Sequence, residues 1–142
     1  MLSYLLVAAL IIGQADAGSK SRTISMEEAR GLVYALLAST GCTVQKCEVH
    51  QRQDDYFPAL YFLDATWPNP TGSPRIGSWA VNPKTAVLWD ANSCIEYRNS
   101  RVIKAQMVLR KRIGLTEAAL AKLKGRPPGC EPEEKVEYRE NY

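Results

Sequence analysis

Apolar positions change period three times along this chain, and each change marks an element. From Leu2 to Gly13 the sequence is apolar at nearly every position. Beyond residue 25, Ala29, Leu32, Val33, Leu36 and Leu37 recur at helical spacing. Ser25-Met26-Glu27-Glu28 precedes them as a capping box, and Gly41 follows as the stop, so a helix is predicted between. Val44 to Gln51 alternates weakly, as an edge strand does. Tyr56 to Trp67 is a second strand, apolar on both sides from Phe57 to Leu63 and therefore covered on both faces, the second face by the helix that follows Cys94. Arg75 to Val81 and Ala86 to Asp90 read as a hairpin joined by an Asn82-Pro83-Lys84-Thr85 turn. If Asn82 pairs with Thr85, Trp79 faces Leu88 and Ser78 faces Trp89, which puts the two tryptophans on opposite faces. Asn99 or Ser100 then caps a helix running to Ile113 and stopped by Gly114, and Thr116 caps a short last helix. The order predicts an α+β domain: an N-terminal helix packed on an antiparallel sheet of about four strands, followed by two C-terminal helices.

The first apolar run is too short to cross a bilayer core, which needs about 20 residues. Ala15-Asp16-Ala17 follows it, a small-x-small site, so residues 1–17 read as a signal peptide, although no Lys or Arg precedes the run. An exported chain follows, periplasmic or secreted, with one domain over 18–130. The segment 131–142 holds five acids and two bases and reads as a charged, loose tail. Loss of Asp16 with the leader raises the formal charge above the full chain's +3, and the acidic tail leaves the body more basic still. A basic exported body suits anionic partners and gives no reason to expect nucleic acid.

Four cysteines in an exported chain imply two disulfides with three possible pairings. Cys42–Cys47 and Cys94–Cys130 are favoured: one closes a small loop where helix passes to strand, the other ties the end of the sheet to the end of the last helix. Cys42, Cys47 and His50 could instead form a C-x4-C-x2-H metal cluster, but the spacing lacks a fourth ligand and the compartment oxidises thiols. No metal or cofactor is expected. His50 is the single histidine and has no neighbouring nucleophile, Asp54-Asp55 belongs to a turn, and no phosphate-binding glycine loop is present. A non-catalytic protein is expected.

Binding chemistry concentrates in two places. The loop from Trp67 to Arg75, stiffened by three prolines, carries Trp67, Asn69 and Arg75, and Tyr56 adds an aromatic nearby in sequence. Trp and Arg are frequent interface anchors, and a stiff loop loses little entropy on binding. The helix after Cys94 carries Arg101, Lys104, Arg110, Lys111 and Arg112 beside an apolar side of Val102, Ile103, Met107, Val108, Leu109 and Ile113. With that pattern the apolar side is expected to cover the sheet while the bases sit in water; the alternative is contact with a membrane surface, a glycan or a small ligand.

Glu27-Glu28-Ala29 on a capped helix, followed by strands and Val81-Asn82-Pro83-Lys84-Thr85-Ala86-Val87-Leu88, resembles the helix-plus-hairpin layout of PepSY-type modules and, more broadly, of cystatin-like domains. Asn82 stands where the PepSY hairpin has Asp, and Ala86 where it has Gly. The resemblance covers about residues 24–90. It implies an exported binding or protease-inhibiting module and not an enzyme. The function expected of this chain is to bind or inhibit another protein, a secreted hydrolase among the candidates, with an immunity or hydrolase-inhibitor type protein as a special case. The cystatin Gln-x-Val-x-Gly loop motif is absent.

Overall fold

A computed structural model describes residues 22–68, 71–72, 74–123 and 138–139. The expected leader, Asn69 and Cys130 lie outside the described residues. Helix α1 (Met26–Leu37) starts on the predicted capping box: the Glu28 amide donates to Ser25 Oγ and the Ser25 amide to Glu28 Oε2, at 3.2 and 2.7 Å. A single 3-10 turn (Ala38–Thr40) tightens its end, and Gly41, at φ 80°, reverses the chain.

The sheet follows as β1 (Glu48–Arg52), β2 (Tyr61–Thr66), β3 (Arg75–Val81), β4 (Leu88–Asp90) and β5 (Glu96–Tyr97), all antiparallel in sequence order. From the tail, Tyr138–Arg139 (β6) pairs in parallel with β5. Helices α2 (Ser100–Ile113) and α3 (Glu117–Leu123) lie between. Asn99 caps α2, accepting from the Val102 amide at 2.9 Å, and Gly114 ends it in the left-handed conformation.

Two expected strands begin later than their sequence suggests. Residues 43–47 form a turn, with the Lys46 amide on the Thr43 carbonyl, closed by the Cys42–Cys47 disulfide. With both sulfurs so bonded, neither is available to the metal cluster considered above. Cys94 is disulfide-bonded as well; its expected partner, Cys130, is among the residues not described. Residues 53–60 form a second turn, because Asp54 Oδ1 accepts from the amides of Tyr56 and Phe57.

The β3–β4 hairpin has a longer loop than the predicted turn. The Asn82 amide donates to the Val87 carbonyl, the Ala86 amide returns to the Asn82 carbonyl, and Ala86 takes φ 56°. Val81 therefore faces Leu88 and Ala80 faces Trp89, two residues out of the expected register. A shift of two preserves side-chain parity. Trp79 accordingly sits in the core under α1, and Trp89 in a second cluster on the other face.

The larger core joins Ala29, Leu32, Val33 and Leu36 of α1 to Val49, Leu63, Ala65, Trp79, Val81 and Leu88 of the sheet. Val102 and Ile113 bring α2 onto this same face rather than onto the other one. The second face is covered in part, by Leu120 of α3 and by Phe57 and Leu60 of the turn before β2.

Candidate partner-binding face

Alternation along β1, β2 and β3 sends every second side chain outward, and the observed register lines these up in rows. Arg52, Phe62, Ala80 and Trp89 form one row, and His50, Asp64 and Ser78 the next. Glu48, Thr66 and Arg75 form the third, beyond an irregularity between Ala65 and Thr66. Phe62, Ala80 and Trp89 are buried beneath α3 and the Phe57–Leu60 turn. The rest of the face, on the β1–β2 side, is open.

Asp64 organises that open half. Arg75 Nη2 donates to its Oδ1 at 3.2 Å, Arg52 Nη1 lies 3.8 Å from the same atom, and the Ser78 hydroxyl donates to it as well. Arg75 also reaches the Ser78 hydroxyl. The Arg52 guanidinium lies 5.3 Å from the centroid of the Phe62 ring, a cation–π contact that holds it over that ring. Two guanidiniums thus share one carboxylate, and with Glu48 in the third row the open half presents fixed charge of both signs. Arg75 keeps half its side chain exposed, free to meet a further carboxylate.

The row His50–Asp64–Ser78 contains the residue types of a serine-hydrolase triad, but in an order that cannot work as one. Asp64 stands between the other two, so His50 and Ser78 lie two strand spacings, about 10 Å, apart. The Ser78 hydroxyl is buried and gives its proton bond to a carboxylate, not to an imidazole.

The predicted site residues do not gather in one place. Arg75 stands on the open face. Trp67 is half-buried, packs on the inner core and donates its amide to the Pro74 carbonyl at 3.1 Å, so it closes the loop from beneath. Tyr56 is 90 % exposed, in the β1–β2 turn at the opposite end of β2, about 17 Å away along the strand. Neither Arg52 nor Asp64 stands out in the sequence: Arg52 lies in a polar run, His50 to Asp55, and Asp64 lies inside an apolar strand. The outward parity of Phe62, Asp64 and Thr66 was the signal that could have found them.

The basic helix divides in the same way. Arg110 Nε donates to the Thr85 carbonyl at 2.8 Å, and burial pushes its guanidinium below its ordinary range, offset in part by Glu117 and Glu96. Arg112 donates to the Thr23 carbonyl and to Glu28 Oε2, at 3.1 and 2.6 Å. Burial pushes the Glu28 carboxyl up, and its bonds from the Ser25 amide and Arg112 outweigh this, leaving it below the ordinary carboxylate range. Gln106, buried, donates to the Ala86 carbonyl at 2.9 Å. Arg101, Lys104 and Lys111 remain in solvent, beside exposed Met107 and Val108. Those two apolar side chains were expected to cover the sheet. They do not, because the buried stripe of α2 runs through Val102, Gln106 and Ile113 instead.

No family profile matches this chain, and no curated protein matches its sequence. Among solved structures it resembles a chain of a type VI secretion system effector–immunity complex from Pseudomonas protegens. The TM-score is 0.56, over 72% of this chain and 87% of that one, at 18% identity. Similarity at that identity is similarity of fold.

Proposed function

We propose that this protein is an exported, non-catalytic module of the immunity type, which binds another protein on the open outer face of β1, β2 and β3 and holds it inactive. The observation that carries this reading is the fixed Arg52–Asp64–Arg75 cluster on the half-covered outer face of the sheet. Small substrates are held in concave, largely apolar sites. An open surface with fixed charge of both signs suits a protein partner whose charges complement that pattern. The shared fold with a chain from an effector–immunity complex supports the same reading. The leader-like N-terminus and the Cys42–Cys47 disulfide favour the periplasm or extracellular space, and a secreted hydrolase is the partner class that best fits that compartment.

The test uses the tagged chain in extracellular and periplasmic extracts of the organism that encodes it. The captured protein is identified, purified and assayed for activity and for toxicity to bacterial growth, with and without the chain. Neutralisation is expected, together with at least a tenfold loss of capture by Arg75→Ala with His50→Ala at unchanged melting temperature. A captured protein that stays fully active, or equal capture by the double variant, overturns the proposal. A second reading, an envelope-surface or glycan binder, is favoured by the solvent-facing Arg101, Lys104 and Lys111. Salt-sensitive retention on anionic vesicles or cell-wall preparations without any captured protein is the outcome that would select it.

A further inference from the structure

Strand β1 ends the sheet: β2 pairs with one side of it and, among the described residues, no strand pairs with the other. An edge of this kind presents unpaired N–H and C=O groups, and sheets commonly blunt it with proline, charged side chains (lysine above all), a bulge or a very short strand. Glu48–Arg52 contains neither proline nor lysine, and its pairing with β2 runs without a register shift. Its charges are arranged antisymmetrically about His50, a carboxylate two residues before and a guanidinium two residues after. By alternation Glu48, His50 and Arg52 share the outer face.

We infer that this edge pairs antiparallel with β1 of a second copy of the chain, about a two-fold axis at His50. In that register Glu48 faces Arg52 of the partner subunit, Arg52 faces Glu48 of the partner subunit, and Val49 faces Gln51 of the partner subunit. Opposite charges directly across a strand pair are favourable and like charges unfavourable. Other antiparallel registers lose both charge pairs, and a parallel pairing sets each charge against its own kind. The contact is isologous, so it consumes both β1 edges and closes at two. It joins the two sheets into one and sets two Arg52–Asp64–Arg75 clusters on the same continuous face. Five residues a side fall short of the roughly 1,000 Å² that marks a lasting interface, so the association is weak and concentration-dependent.

Sedimentation or light scattering of the full mature chain, from about 10 to about 500 μM, covers the range in which so short an interface assembles. The mass is expected to rise from that of one chain towards twice that value. Glu48→Arg alone sets arginine against arginine, Arg52→Glu alone sets glutamate against glutamate, and each is expected to weaken association at least tenfold. The two together exchange the signs and restore it. Because Arg52 also contacts Asp64, a second measurement stands apart from the variants. Amide exchange in the unmodified chain should slow within Glu48–Arg52 as concentration rises. A constant single-chain mass, a double exchange no better than the single changes, or exchange independent of concentration overturns the inference. None of these readouts depends on the partner protein, so they stand or fall separately from the proposed function.

Discussion

The two faces of the sheet are made by the same strands and differ by one residue in phase. Inward, Leu63, Ala65, Trp79 and Val81 meet two helices and leave no open surface. Outward, Phe62, Ala80 and Trp89 are covered by a single leucine of α3 and a turn, and the next rows pass into arginine, aspartate, histidine and glutamate. A face packed from both sides can only stabilise. A face half-covered can hold its charged residues in place and still present them. The inner face thus supplies the rigidity that keeps Arg52 and Arg75 on Asp64 without a partner to order them.

The tryptophans offer the sharpest way to break this comparison. Each is 2 % exposed, but Trp79 lies between sheet and helix, with its ring against Gly77, where an added Cβ would come within 2.8 Å of the indole. Trp79→Ala is expected to cost about 4–5 kcal/mol in denaturant unfolding and Trp89→Ala about 3 kcal/mol, the two ends of the range for such truncations. Equal costs would mean that the outer cluster is as much a core as the inner one.

A smaller effect belongs to Glu28, which joins the α1 cap to α2 through Arg112. Its carboxyl lies below its ordinary value of 4.5 in the folded state, as the Asp90 carboxyl lies below 3.8, where burial is outweighed by the amides of Ser93 and Asn92. The folded protein therefore binds fewer protons than the unfolded one in the acid range. The contribution is complete above the unfolded values and is lost as pH falls through the lowered folded ones. Glu28→Gln is expected to cost about 1 kcal/mol at pH 7, and to flatten the acid limb of a stability-against-pH curve while leaving the part due to Asp90. A wild-type acid limb in the variant would sink the assignment.

The smallest effect is on the outer face. Arg75→Ala removes an exposed ion pair and should change stability by no more than about 0.5 kcal/mol. A thermal melt checks it. A loss several times larger would show Arg75 to be part of the fold, not a surface held ready for a partner.

Much of the fold was legible because local signals agreed. The capping box of α1, Asn99 and Gly114 around α2, and the bounds of β3 all follow from residues adjacent in sequence. The late starts of β1 and β2 were not, since a disulfide loop and an aspartate-capped turn took residues whose apolar content reads as strand. Strand β5 has two residues and therefore no period to detect. Of the candidate face, only Arg75 and His50 could be singled out. The cluster with Asp64 depends on a register across three strands, which no local pattern encodes. Arg110 and Arg112 looked like surface charge for the related reason that their acceptors, Thr85, Thr23 and Glu28, lie 25, 89 and 84 residues away in the chain.

The grip of α2 on the β3–β4 loop also bears on how the sequence can change. Gln106 and Arg110 bond the carbonyl oxygens of Ala86 and Thr85, atoms that every residue possesses. The helix thus reads the path of the loop and not its spelling. Substitutions in the loop that keep its course, including the positive φ at residue 86, leave both bonds intact. The two donors have no such latitude, because only a side chain of that reach and chemistry can meet a fixed carbonyl. Mutational freedom is therefore unequal on the two sides of this contact: the loop can drift, and the helix must stay.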